Sequence, residues 1–190
     1  MRVVFCGVGA LGSTAAVACR NLDATLRLID FDRVESKNLL SQAFVKASVG
    51  KNKATALKLQ LQNFYGVKAQ AFGVRLTESN VAELLEGADL VVDAFDNAAS
   101  RLLVCEHVRV HKLACVHAAV SADGTYGMVR WDDQFTPDAE DHEGQATCEG
   151  GEHLPFIGLV GATLARTIQE WVADKTVRNS MISLSGIQRA

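Results

Sequence analysis

Gly7-Val8-Gly9-Ala10-Leu11-Gly12 stands directly between an apolar run, Arg2-Val3-Val4-Phe5-Cys6, and an alanine-rich run over 13–22. A G-x-G-x-x-G turn between a strand and a helix suits a nucleotide phosphate resting on the helix N-terminus. Gly7 and Gly9 keep Cβ atoms out of a tight turn and out of the path of a phosphate. Gly12 lets the helix pack closely on the strand, and Leu11 belongs to the same phosphate-facing turn. Asp30 follows roughly twenty residues later, at the expected end of the second strand, where a carboxylate accepts both ribose hydroxyls. NAD, FAD and ATP fit Asp30 equally, and some turns of this kind serve SAM, so later residues must decide.

Three later blocks carry further polar groups at set spacing. The first is Ile29-Asp30-Phe31-Asp32-Arg33-Val34-Glu35-Ser36-Lys37-Asn38-Leu39-Leu40-Ser41-Gln42. The second, Val49-Gly50-Lys51-Asn52-Lys53-Ala54, opens a helix. The third is Asp89-Leu90-Val91-Val92-Asp93-Ala94-Phe95-Asp96-Asn97-Ala98-Ala99-Ser100-Arg101. Each residue has a plainer reading as well. Asp30 suits a loop carboxylate, Lys53 a solvated helix position beside Lys51, Asp96 a cap for the next helix, and Arg101 a structural ion pair.

The glycine turn and these blocks, in this order, resemble the ThiF/MoeB family, whose fold is shared by the ubiquitin-activating enzymes. The blocks are similar to that family's D-F-D-x-V-x-x-x-N-L-x-R-Q, G-x-x-K and D-x-V-x-D-x-x-D-N-x-x-x-R motifs. The run Pro155-Phe156-Ile157-Gly158-Leu159-Val160-Gly161-Ala162-Thr163-Leu164-Ala165 is similar to its P-x-x-G-x-x-G-x-x-x-A segment. The resemblance covers about residues 1–175 and implies an ATP- and Mg²⁺-dependent adenylation. The substrate it implies is the C-terminal glycine carboxylate of a small ubiquitin-like or sulfur-carrier protein ending in Gly-Gly, and it also implies a homodimer. By matching position, Asp30 holds the ribose, Asn38, Gln42 and Lys53 lie along the phosphates, and Asp96 binds Mg²⁺. Asp32 and Asn97 count with them as cofactor-binding positions, and Asn97 and Arg101 also shape the loop and helix after the fourth strand.

That chemistry suits the residue types present. A carboxylate with a pKa of about 4 is already ionised at neutral pH, so the attack needs no general base. The barrier is repulsion between anions, which a metal, a lysine and helix-terminal N–H groups reduce. Cys148, shortly before the last helix, is where the family often places a cysteine, which in some members forms a covalent thioester or persulfide-type link with the carrier and in others does no chemistry. A helix N-terminus favours its thiolate, whereas Glu149 and Glu152 oppose it and His142 or His153 can offset them. The catalytic set that the resemblance implies is Lys53 and Asp96, joined by Cys148 if a transfer to cysteine follows adenylation. The family's paired C-x-x-C zinc motifs are absent from the sequence, and the loose spacing of His142, Cys148 and His153 does not suggest a zinc site.

Two departures stand out. Ser41 replaces the motif's arginine, and the first strand begins at Arg2 without the N-terminal arm of many relatives. Another chain, or Arg33, Lys37 or Lys51, then has to supply positive charge. These departures keep open a catalytically weakened nucleotide-binding scaffold. An NAD-dependent oxidoreductase ranks behind, because it leaves Asp32, Asn38, Gln42, Lys53 and Asp96 without roles.

The elements that position these residues alternate strand and helix. Strands are expected over 3–6, 24–29, 67–72, 88–94 and 113–120, with another through Trp131. Helices are expected over 9–22, 50–65, 78–85, 98–111 and 155–173. This alternation predicts an α/β, doubly wound, mostly parallel sheet of Rossmann type. An ATP-binding adenylation domain over 1–175 would carry an acidic loop over 131–153 and a short tail over 176–190. The stretch 131–165 has no Lys or Arg and holds eight acids. A chain of 190 residues, 48% of them hydrophobic, supports one full core. Its net charge of −3 argues against a general nucleic-acid or membrane-surface binder. No apolar run is long enough for a membrane span. Five cysteines without C-x-x-C pairs suit a reducing, cytoplasmic setting.

Overall fold

A computed structural model of the chain describes residues 1–137 and 153–189. Its centre is β1 (Arg2–Cys6), whose apolar residues are buried on both faces. Val3 and Phe5 enter one core, and Val4 and Cys6 enter the other. This is how a run with no polar alternation reads when helices cover both sides of a parallel sheet. The chain continues through α1 (Ala10–Ala18), β2 (Thr25–Ile29), α2 (Lys53–Tyr65), β3 (Ala69–Phe72), α3 (Val81–Leu85) and β4 (Leu90–Asp93). It then runs through α4 (Ala98–His111), β5 (Ala114–Val120), β6 (Tyr126–Trp131), α5 (Leu154–Asp174), β7 (Ser180–Ser183) and β8 (Gly186–Arg189).

The strands lie in the order β3-β2-β1-β4-β5-β6-β7-β8. Strands β1 to β5 pair in parallel, and β6, β7 and β8 are added antiparallel. The expected doubly wound α/β sheet is therefore present, with a switch in winding direction between β1 and β4. Ligands of open α/β sheets bind beyond the carboxyl ends of the strands at such a switch point. Helices α1, α2 and α5 cover one face, and α3 and α4 cover the other.

Several boundaries differ from the sequence reading, each for a local reason. Helix α1 stops at Ala18, where the chain enters a turn through Arg20 and Asn21 closed by the Leu22 N–H bonding back to the Cys19 carbonyl. Helix α2 begins at Lys53, three residues later than expected, since Asn52 is its N-cap and accepts the Thr55 N–H. Helix α3 begins at Val81, after a turn in which Asn80 accepts the Thr77 N–H. Helix α4 is capped by Asn97, which accepts the Ser100 N–H, and not by Asp96. Residues 176–190, expected as a short tail, contribute both β7 and β8 to the sheet. Among the described residues no helix is long and apolar enough to cross a membrane.

Candidate nucleotide site

The glycine turn closes the end of β1 and leads into α1. Gly7 has φ +87°, a left-handed conformation that favours glycine, and its N–H donates to the Ile29 carbonyl at 2.9 Å. A Cβ on Gly7 would lie 2.8 Å from the Ala94 carbonyl oxygen, so the turn presses against the chain leaving β4. A Cβ on Gly12 would strike the Gly7 carbonyl oxygen. A Cβ on Gly9 would meet nothing within 4 Å, so the space beside it is open to a ligand. No side chain caps α1, which leaves the N–H groups of its first turn, at Ala10, Leu11 and Gly12, available to an anion.

Asp30 lies beside this turn, buried at the end of β2. Its Oδ2 accepts the Val8 N–H and its Oδ1 the Asp32 N–H, both at 2.9 Å. Burial pushes its carboxyl above the usual carboxylate range. Lys53 and the two backbone N–H groups pull it back only in part. Asp30 thus fixes the turn, and each of its oxygens keeps a lone pair that a further donor could use.

Lys53 is nearly buried, and its Nζ sits 3.0 Å from Asp32 Oδ2. The structure therefore brings Asp30, Asp32 and Lys53 together beside the glycine turn. Asn52, which the sequence presents only as a spacer, holds them in register. Its Nδ2 donates to the carbonyls of Asp30 at 2.8 Å and Asp32 at 3.1 Å while its Oδ1 caps α2. Replacing Asn52 with alanine removes all three bonds and is expected to cost about 1–2 kcal/mol. Thermal denaturation checks this, and a Tm within about one degree of wild type would contradict it.

The 41–43 segment is tied to the first turn of α1, where Ser13 Oγ accepts the Ala43 N–H at 2.9 Å. Next to that bond, Ser41 Oγ and Gln42 Oε1 are buried with no hydrogen-bond partner among the described residues. Buried polar atoms without partners are uncommon, and here they fit a polar ligand. Asn38 is buried, and its Oδ1 accepts the Glu35 N–H at 2.8 Å, so that oxygen is committed to its own turn. Of the expected substitute cations, Arg33 donates to the Gly50 carbonyl and Lys37 pairs with Glu35. Lys51 is exposed.

Asp96 is exposed, just past the Ala94 carbonyl that abuts the glycine turn. A carboxylate oxygen is a hard donor of the kind Mg²⁺ takes alongside phosphate oxygens. Arg101 is internal: its Nη2 donates to the Ala118 carbonyl at 2.7 Å and its Nη1 is 3.7 Å from Asp93. Cys6, Cys19, Cys105 and Cys115 are free and buried. Burial pushes the thiols of Cys19 and Cys105 up to about 12, and it also holds those of Cys6 and Cys115 well above the usual thiol range. Such thiols are not nucleophiles at neutral pH. Cys148, His142, Glu149 and Glu152 lie outside the described residues, as does most of the acidic stretch.

Asp132 was expected as one of the acids of that stretch. The structure instead makes it a partner of Arg109 at 2.9 Å and of His117 at 3.2 Å. With Asp93, which is fully buried, these residues form a charged cluster that the sequence reading missed. A polar depression lined by Met1, Arg20, Asp23, Thr25 and Lys68 lies at the other end of the strands. It contains none of the residues above.

The sequence model of the ThiF family matches residues 1–188. The chain belongs to the ThiF family. Among its relatives is the adenylyltransferase and sulfurtransferase MOCS3 of Caenorhabditis briggsae, 28% identical over 191 residues. That match takes in 90% of this chain and 45% of that protein. The sulfur carrier protein adenylyltransferase of Thermus thermophilus is 42% identical over 79 residues, 40% of this chain and 29% of that one. The chain spans less than half the length of these curated relatives. A crystal structure of E. coli MccB with ATP has the same fold, with a TM-score of 0.78 at 16% identity. It is matched over 100% of this chain and 63% of that one.

Proposed function

We propose that this ThiF-family chain adenylates the C-terminal glycine carboxylate of a small ubiquitin-like or sulfur-carrier protein, using ATP and Mg²⁺. One observation carries this reading: the open first turn of α1, Asp30, Lys53 and Asp96 converge at the carboxyl ends of β1, β2 and β4. The named relatives, which are adenylyltransferases, support it.

In this reading the N–H groups of Ala10, Leu11 and Gly12 hold the phosphates, and Asp30 accepts the ribose hydroxyls. Ser41 Oγ and Gln42 Oε1 find their missing partners on the nucleotide and its bound water. Lys53 turns from Asp32 toward the phosphates and offsets charge on the phosphoryl oxygens. Asp96 would hold Mg²⁺, which when bound would supply further neutralisation of the phosphate charge. A carrier carboxylate oxygen then bonds to the α-phosphorus. The bond from that phosphorus to the bridging oxygen breaks, and pyrophosphate leaves with the electron pair. Incubation with ATP and a carrier ending in Gly-Gly is expected to yield carrier–AMP by intact mass spectrometry. A carrier that stays unmodified while ATP binds would overturn the reading in favour of a scaffold.

Cys148 is the acceptor in the second half of the reaction. Its sulfur attacks the acyl carbon, AMP leaves with the bonding pair, and the thiol proton goes to solvent. Cys148→Ala is therefore expected to keep adenylation while losing any carrier–enzyme adduct on a non-reducing gel. An adduct that persists removes Cys148 from the mechanism. The family resemblance also supports a homodimer, which light scattering of the purified protein tests. Four free buried thiols support a reducing, cytoplasmic compartment.

A further inference from the structure

His117 lies in the middle of β5 with no exposed surface, and both of its ring nitrogens face carboxylates. Nδ1 is 2.8 Å from Asp93 Oδ2, and Nε2 is 3.2 Å from Asp132 Oδ1. The ring stacks on Phe135, with centroids 4.0 Å apart and planes 10° apart. A doubly protonated ring donates to both acids, whereas a neutral ring donates to one and turns a lone pair on the other.

The surrounding groups complete the cluster. Asp93 Oδ2 is 3.7 Å from Arg101, and Asp132 Oδ2 accepts from Arg109 Nε at 2.9 Å. Cys105 Sγ lies within 4.8 Å of the ligand atoms of His117 and Asp132. Both acids and both ring nitrogens already have partners, so the cluster needs no cation to satisfy it. Burial alone would raise the Asp93 carboxyl. Arg101, the His117 bond and the Phe95 N–H outweigh burial and hold it below the usual carboxylate range.

The cluster reaches the candidate site through Asp93. Its second oxygen, Oδ1, accepts the Phe95 N–H at 3.1 Å and so sets the turn that leads to Asp96. The same turn presents the Ala94 carbonyl to Gly7. One carboxylate therefore joins His117 on one side to the loop carrying Asp96 on the other.

We propose that His117 is a positioning residue: by bridging Asp93 and Asp132 it fixes the 94–97 loop so that Asp96 meets the metal ion of the bound nucleotide. This rests on the adenylating reading, in which Asp96 takes Mg²⁺. Groups hydrogen-bonded to a metal ligand typically shift metal affinity about 10–100-fold when removed, and His117, which reaches Asp96 through Asp93 and the Phe95 N–H, is expected at the low end of that range.

The test titrates Mg²⁺ against a fluorescent ATP analogue bound to the full chain, comparing wild type with His117→Gln and Asp132→Asn. In His117→Gln the half-saturating Mg²⁺ concentration is expected to rise about tenfold or more, with metal-free analogue affinity unchanged. Asp132→Asn leaves the His117–Asp93 bond in place and is expected to shift the same midpoint by less. A purely structural His117 would lower Tm and leave the midpoint of the folded protein where it was, and that result overturns the proposal. An equal loss of affinity with and without Mg²⁺ also overturns it. Should His117→Gln fail to fold, Asp132→Asn decides, and an unchanged midpoint overturns the proposal. Wild-type binding that shows no Mg²⁺ dependence overturns it too. Mg²⁺-dependent binding without carrier adenylation overturns the enzymatic reading instead and leaves the midpoint comparison valid.

Discussion

Replacing Gly12 with alanine is expected to destabilise the domain by about 2–4 kcal/mol and to abolish measurable ATP binding. The sign is the informative part, because alanine at an ordinary helical glycine stabilises by about 1 kcal/mol. Here the added Cβ strikes the Gly7 carbonyl oxygen, lies 3.0 Å from the Gly7 carbonyl carbon and 3.3 Å from Ala94 Cβ. Gly7 has nowhere to retreat. Its N–H is bonded to Ile29, and its own Cβ position is 2.8 Å from the Ala94 carbonyl oxygen. Relief requires opening the turn, which also displaces Val8 from Asp30. Thermal denaturation is expected to show a drop of about 5–10 °C, and a titration with a fluorescent ATP analogue should show no saturation. A Tm equal to or above wild type would contradict this account of the turn.

Lys53→Met has the opposite profile. Carrier-dependent turnover is expected to fall about 10²–10³-fold, because in the proposed reaction Lys53 offsets charge on the phosphoryl oxygens. Stability should scarcely change. Lys53 Nζ pairs with Asp32 at 3.0 Å, but the Asp32 side chain is 45% exposed. The ion pair at such a position contributes under about 1 kcal/mol. Methionine fills the volume of the lysine stem in the nearly buried position. Single-turnover formation of carrier–AMP measures the first effect and thermal denaturation the second. A variant that turns over within a few-fold of wild type would move the phosphate role to Lys51 or to a partner chain.

Set beside each other, the two variants separate positioning by backbone from chemistry by charge. They also mark where the sequence was informative. The G-x-G-x-x-G turn, Asp30 and the alternating apolar segments were legible because each depends on neighbours in sequence. The tight turn at Gly7 and the bodies of the strands and most helices lie where local pattern placed them, with strand ends shifted by one or two residues. Asn97 over Asp96 as the cap of α4 was a one-residue choice between two good capping residues, and the Ser100 N–H decided it.

What was not legible depends on long-range contact. His117 sits in an apolar strand and reads as a core residue. Its partners are 24 and 15 residues away, and Asp132 reads as one acid among eight. Asn52 reads as a spacer because its role depends on the Asp30 and Asp32 carbonyls, which only the β2–α2 geometry brings to it. The β7–β8 hairpin has a weak pattern. Ser180, Ser183 and Ser185 interrupt its apolar residues, and it is a strand pair because β6 offers an edge to pair with. The Ser41 departure, read from the sequence as a missing charge, becomes in the structure a buried hydroxyl without a hydrogen-bond partner among the described residues, two positions before the Ala43 N–H that bonds to Ser13.

The central claim is that this site joins a carrier carboxylate to the α-phosphorus of ATP, and carrier-dependent ATP–pyrophosphate exchange tests it most directly. The account predicts label from pyrophosphate entering ATP only when ATP, Mg²⁺ and a carrier ending in Gly-Gly are all present. It also predicts that the signal disappears when the carrier's last glycine is removed. Saturable ATP binding with no exchange across a panel of such carriers would contradict it.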